Sequence, residues 1–188
     1  MDPDESIRNE AIRRTKKIVD FASSFGAQVN IGRLRGRLFS DVPQEQSFGW
    51  MYTAFEDVTD YAAARGVSMI LEPVAQIYCN NVNSTQDGIE VVRRVGRGNF
   101  RLMADLFHMN LEDKSMEESF REAKSYLTHI HVCDSNRLAP GRGNFDFKRI
   151  IEIIKKIGYK GYISAEVFQI PAQDTALEET IKHLKPLL

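Results

Sequence analysis

The sequence predicts an α/β fold with about five parallel strands under outer helices, and two observations carry that expectation. Short β-branched and apolar runs alternate with longer amphipathic stretches. Each strand follows the last after roughly 30–40 residues, the length a helical crossover between parallel strands needs. Four successive strands also end in a residue able to bind a metal, and parallel strands all end on one rim of a sheet, where α/β folds place their sites. No linker or low-complexity tract interrupts the pattern, so residues 1–188 read as a single domain.

Residues 4–25 form an amphipathic helix: Ile7, Ala11, Ile12, Ile18, Val19, Ala22 and Phe25 make an apolar stripe opposite Arg and Lys, and Gly26 ends it. Residues 28–31 are a short strand. Residues 32–46 are a loop rich in Gly and Arg, long enough to suggest function or mobility. A helix over 48–65 closes at Gly66, and a strand over 67–71 runs into Glu72 and Pro73. Next come a helix over 84–95, a strand over 100–104 ending at Asp105, and a helix over 115–127. A strand over 128–133 carries His129 and His131, and a helix over 145–157 closes at Gly158. The last strand, 162–165, ends at Glu166, and a helix over 174–187 completes the chain.

Strand alternation orients these residues. Ser68, Ile70 and Glu72 share one face, as do Arg101, Met103 and Asp105, His129 and His131, and Ser164 and Glu166. The residues between them, Met69, Leu71, Leu102, Ala104, Ile130, Val132, Ile163 and Ala165, suit packing under helices. Singly, an acid after a strand is most often a helix cap, and a strand histidine a hydrogen-bonded core residue. Convergence of Glu72, Asp105, His131 and Glu166 on one rim is harder to dismiss. Their mixed carboxylate and imidazole donors suit Mn²⁺, Mg²⁺ or Co²⁺ better than a thiolate-seeking ion. His129, deeper on the same face, reads as a pocket or core residue. His108, three residues past Asp105, is placed on a loop, and Arg137, past the end of the histidine strand, suits an anion or hydroxyl. The Gly141-Arg142-Gly143 turn loosely resembles a phosphate cradle, and His183 reads as a surface residue.

Composition narrows the classes. A net charge of −1 with no basic block argues against nucleic acid as a partner. No apolar run approaches the ~20 residues of a membrane helix. The opening MDPDESIRNE is too acidic and polar for a signal peptide. Cys79 and Cys133 lie far apart without metal or redox spacing and read as reduced thiols in a cytoplasmic protein.

Residues 105–110 (DLFHMN) and 131–143 (HVCDSNRLAPGRG) together resemble the xylose isomerase-like TIM-barrel superfamily, closest to the ketose 3-epimerases. The resemblance implies a partial (β/α)8 barrel. It implies one divalent ion, Mn²⁺ first with Mg²⁺, Co²⁺ or Zn²⁺ as substitutes, held by Glu72, Asp105, His131 and Glu166. It further implies substrate contacts from His108 and Arg137, with Glu72 and Glu166 moving a proton at the carbon beside a ketose carbonyl. The substrate class is then a small sugar or sugar phosphate. The sequence departs from the family twice. Tyr78 stands where the epimerases have a second, substrate-contacting glutamate. Five strands are present where the family barrel has eight, the first three being absent. That absence implies two open edges, covered by another copy in a homo-oligomer, or a chain that is part of a longer one. Two alternatives remain: a dehydratase or isomerase of inosose-type keto-sugars, and an inactive barrel fragment that keeps its metal site.

Overall fold

A computed structural model describes all 188 residues. Helix α1 (Glu5–Ser23) leads to strand β1 (Val29–Ile31), a 3-10 turn (Arg33–Arg35) and helix α2 (Gln44–Ala63). Strand β2 (Met69–Leu71), helix α3 (Thr85–Val95), strand β3 (Phe100–Asp105) and helices α4 (Leu106–Glu112) and α5 (Met116–Ala123) follow. Strand β4 (Leu127–Val132), helix α6 (Phe147–Lys156), strand β5 (Tyr162–Ala165) and helix α7 (Gln173–Leu184) complete the chain. The strands form one five-stranded sheet in the order β1-β2-β3-β4-β5, every pair parallel. It curls into a half-barrel with the helices on its outer side, as the alternation predicts.

Local chemistry sets the boundaries. Asp4 caps α1 through the Ser6 amide, and Ser84 and Asp87 close a reciprocal capping box on α3. Two apolar clusters sit between sheet and helices. One joins Val19, Met51, Phe55, Met69, Leu71 and Phe100. The other joins Ala104, Phe120, Ile130, Val132, Phe147 and Ile151. Helix α3 lies so close to β2 and β3 that a Cβ on Gly88 would meet Pro73 Cγ at 2.7 Å.

Three expectations need correction. His108 is not on a loop: it lies in α4, and it is buried. Asp105 both ends β3 and caps α4, its Oδ1 accepting from the Phe107 and His108 amides, so strand passes into helix with no turn residue to mark the change. Ala165 is exposed rather than packed under a helix, and Leu184 of α7 joins the cluster with α6 instead. The 32–46 loop is shorter than expected, since a 3-10 turn occupies its start and α2 begins at Gln44. The two open edges are as expected. Phe21 and Phe25 are exposed beside β1, and Tyr162 on β5 is 78% exposed.

Candidate metal centre and substrate cleft

Glu72 follows β2 and extends its ladder, its amide donating to Ile31 O at 3.0 Å. Asp105 is the last residue of β3. Glu166 follows β5, its amide donating to Val132 O at 3.1 Å. His131 comes from β4, opposite Asp105, and a bulge puts it there. Leu102 pairs with Leu127, but Met103 pairs with His129, so Thr128 is an extra residue on β4. In uninterrupted register Asp105 would face Ile130. The bulge instead lets Leu127 pack outward while His129 and His131 turn to the inner face. Thr128 Oγ1 is buried without a partner, as befits a residue outside the ladder.

The four side chains offer ligand atoms all within 4.8 Å of one another. His131 Nδ1 lies 3.0 Å from Glu166 Oε2, 3.6 Å from Asp105 Oδ2 and 3.7 Å from Glu72 Oε1. Glu72 and Asp105 are buried. Asp105 Oδ2 is buried with no hydrogen-bond partner, a costly state for a carboxylate oxygen unless a cation satisfies it. Three carboxylates around one imidazole, with that oxygen aimed inward, fit a divalent ion.

Electrostatics tell the same story. Burial pushes the Glu72 carboxyl up, with the Asn30 hydrogen bond opposing and the Asp105 charge adding. Burial works against an imidazolium at His131. The Asp105 carboxylate 3.6 Å away, the hydrogen bond to Glu166 and the charge of Glu72 outweigh it, raising the group to about 9. Glu166 is lowered to about 2, first by its bond to His131 and then, against burial, by the charge of Arg137. Without an ion, a protonated His131 is the cation the carboxylates hold. Arg137 donates to Glu166 Oε2 at 2.7 Å, lies 3.6 Å from Asp105 Oδ1, and stacks 5.0 Å above the Phe107 ring.

His108 Nδ1 accepts from the Ala75 amide at 3.3 Å, so a neutral ring carries its proton on Nε2. Burial lowers its pKa and favours that neutral form, although the charge of Asp105 opposes. Both His108 and Arg137 line an open cleft of about 420 Å³ with Asn30, Gly32, Arg33, Glu72, Val74, Tyr78, Glu166 and Phe168. Tyr78 therefore reaches the site, its ring 5.9 Å from that of His108. The structure thus brings together all six residues expected at the site. His129 is outside the cluster, its ring 5.1 Å from that of His131 and its Nε2 2.8 Å from Ser164 Oγ, and His183 is exposed, as expected.

The Gly141-Arg142-Gly143 turn is no phosphate cradle. The Asp134 carboxylate already accepts the amides of Ser135, Gly141 and Phe145, at 2.8, 2.8 and 3.1 Å, leaving none of these donors for an anion. Arg142 is bound to Glu179 by two hydrogen bonds. Sequence reasoning missed Asn30, whose Nδ2 donates to Glu72 Oε2 at 2.8 Å. It also missed Gly32, where a Cβ would lie 3.0 Å from that oxygen. A signal existed: the first strand ends in glycine where the others end in ligands, and a glycine there leaves room for one.

A half-barrel of parallel β/α units, with one group of possible metal ligands on the rim where its strands end, defines a class, the TIM-barrel proteins. A family model described as Xylose isomerase-like TIM barrel matches residues 1–187, and the chain belongs to that family. It is 38% identical over 112 residues to the D-psicose 3-epimerase of Ruminiclostridium cellulolyticum, covering 60% of this chain and 38% of that protein. It is 34% identical over 128 residues to the L-ribulose 3-epimerase of a Methylomonas species, covering 68% of this chain and 45% of that one. The matched segments are thus less than half the length of these relatives. The crystal structure of D-psicose 3-epimerase with D-tagatose from Clostridium cellulolyticum H10 superposes with a TM-score of 0.87 at 25% identity, over 99% of this chain and 72% of that one.

Proposed function

We propose that the protein is a divalent-metal sugar isomerase or epimerase, moving a proton at the carbon beside a ketose carbonyl. The observation that carries this reading is the rim cluster itself, in which two glutamates from the non-adjacent strands β2 and β5 share one ion-sized space with Asp105 and His131. A divalent ion held by Glu72, Asp105, His131 and Glu166, with Mn²⁺ the first candidate, supplies Lewis acidity that acidifies the carbon next to a bound carbonyl.

The chain's own residues do the rest. Glu72 and Glu166, from the non-adjacent strands β2 and β5, flank the substrate in this reading, one removing a proton and the other returning one to the opposite face. His108 offers its Nε2 proton and Arg137 its guanidinium to oxygens on which negative charge grows. Asn30 holds Glu72 in place. Tyr78, Val74 and Phe168 line the cleft, and Tyr78, standing in place of the family's second glutamate, favours a substrate different from those of the named relatives.

The test is Glu166→Gln in the metal-loaded protein. Wild type should exchange solvent deuterium into C3 of a ketose and the variant should not; undiminished exchange removes Glu166 as an acid–base group. The same reading includes association with another copy over the open edges at Phe21, Phe25 and Tyr162. Light scattering that gives a monomer mass across working concentrations removes that part.

A further inference from the structure

The cleft contains two cations, and they stand in different circumstances. Arg137 is held by Glu166 and Asp105. Arg33 is exposed, lines the same cleft, and its guanidinium makes no hydrogen bond or ion pair.

Its backbone is fixed all the same. Arg35, buried two residues on, donates to the carbonyls of Gly32, Glu72, Asn81 and Val82 and to Asn81 Oδ1, pinning the 3-10 turn to the loop beyond β2. Gly32 abuts Glu72, since a Cβ there would lie 3.0 Å from Oε2. The Cα of Arg33, one ~3.8 Å step further, is therefore within roughly 8 Å of that oxygen. An arginine side chain is long enough to reach a molecule held at the rim from there.

Charge decides what that molecule carries. The three carboxylates Glu72, Asp105 and Glu166 balance a divalent ion together with Arg137. Arg33 is the charge left over, and a neutral sugar would leave it facing the cleft without a counter-ion. We infer that Arg33 makes the cleft a site for a ketose bearing an anionic group, carboxylate or phosphate, away from its carbonyl. This rests on the metal–ketose reading above and names the substrate class within it. Planar, always charged and fork-shaped, a guanidinium suits either anion.

The test compares wild type with Arg33→Met on three probes: D-fructose, D-fructose 6-phosphate and D-fructuronate. Binding is read in Mn²⁺-loaded protein from water-proton relaxation, which changes as a sugar displaces water from the ion. It is read separately in Mg²⁺-loaded protein from the Arg33 Nε–H resonance. The anionic ketoses should bind wild type about 10–100-fold more tightly than D-fructose, the worth of one charge-assisted hydrogen bond. They alone should shift the Arg33 resonance, and the tighter of the two identifies the anion. Arg33→Met should lose the preference yet keep wild-type affinity for D-fructose and Mn²⁺. Equal affinities for the three probes, or a preference that survives in Arg33→Met, overturn the anion site and leave the metal–ketose reading standing. Relaxation that responds to none of the sugars refutes the metal–ketose reading instead. The anion site is then decided by the Arg33 resonance alone: a shift with either anionic probe upholds it, and a still resonance overturns it.

Discussion

Metal binding to the rim cluster should release a proton, and the structure sets its size. In the metal-free protein His131 titrates at about 9, because Asp105, Glu166 and Glu72 outweigh its burial. At pH 7 it is therefore protonated in almost every molecule, and its Nδ1 cannot ligate until that proton leaves. Two pH units of competition make apparent affinity at pH 7 about 100-fold weaker than above pH 9, or ~2.7 kcal/mol. The sign is fixed: affinity rises about tenfold per pH unit up to 9, and Glu72, raised by burial, steepens the dependence at the acid end. In the metal-free protein the raised His131 acts oppositely. Its stabilising contribution is complete below its ordinary value of 6.5 and disappears as pH rises through about 9. Titration calorimetry of Mn²⁺ at pH 7, in two buffers of different ionisation enthalpy, counts the protons directly. About one should be released per ion at pH 7, and none at pH 10. An affinity flat between pH 6 and 8, with no proton released, would refute the assignment of His131 as a ligand.

Two glycines supply further predictions. Gly32→Ala places a methyl 3.0 Å from Glu72 Oε2 and forces alanine into φ −96°, ψ −110°, outside the regions it prefers. Mn²⁺ affinity by calorimetry should fall about 10–100-fold, the usual cost of disturbing a group that supports a ligand, while circular dichroism stays that of wild type. Gly88→Ala gains up to about 1 kcal/mol of helix propensity but drives its Cβ into the rigid Pro73 ring and the buried Leu102. The net should be destabilising by about 1–2 kcal/mol, seen as a melting temperature about 2–4 °C lower per kcal/mol, and an unchanged or higher value would show that α3 can shift.

The four rim residues were legible because they stand at strand ends, where a period of two fixes the face and parallel direction fixes the rim. Alternation failed on the outer face of β5: Ala165 has the right residue type and parity, but it is exposed, while Leu184 of α7 packs into the cluster with α6. Helix α4 was hidden because Asp105 does two jobs, ending a strand and capping a helix, with no Gly or Pro between. The phosphate-like turn misled because the amides of a glycine-rich loop can as readily bind a carboxylate of their own chain, and Asp134 takes them. Asn30 acts through Glu72, some 40 residues away in sequence, and no local pattern reports that distance.

Strict alternation along β4 cannot deliver what the site needs. Leu127 must face the helices to join the core, and His131, four residues later, must face inward. In an unbroken strand, residues four apart share a face, so one of these demands would fail. Thr128 resolves the conflict by stepping out of the ladder. Everything before it keeps the parity of the core, and everything after it takes the parity of the rim. The cost is one buried hydroxyl left without a partner. On the other side of the cluster, Gly32 resolves a second conflict, since a Cβ there would press on Glu72 Oε2 at 3.0 Å. The arrangement of Glu72, Asp105, His131 and Glu166 therefore depends on one residue added to a strand and one side chain left out, neither of which belongs to the cluster.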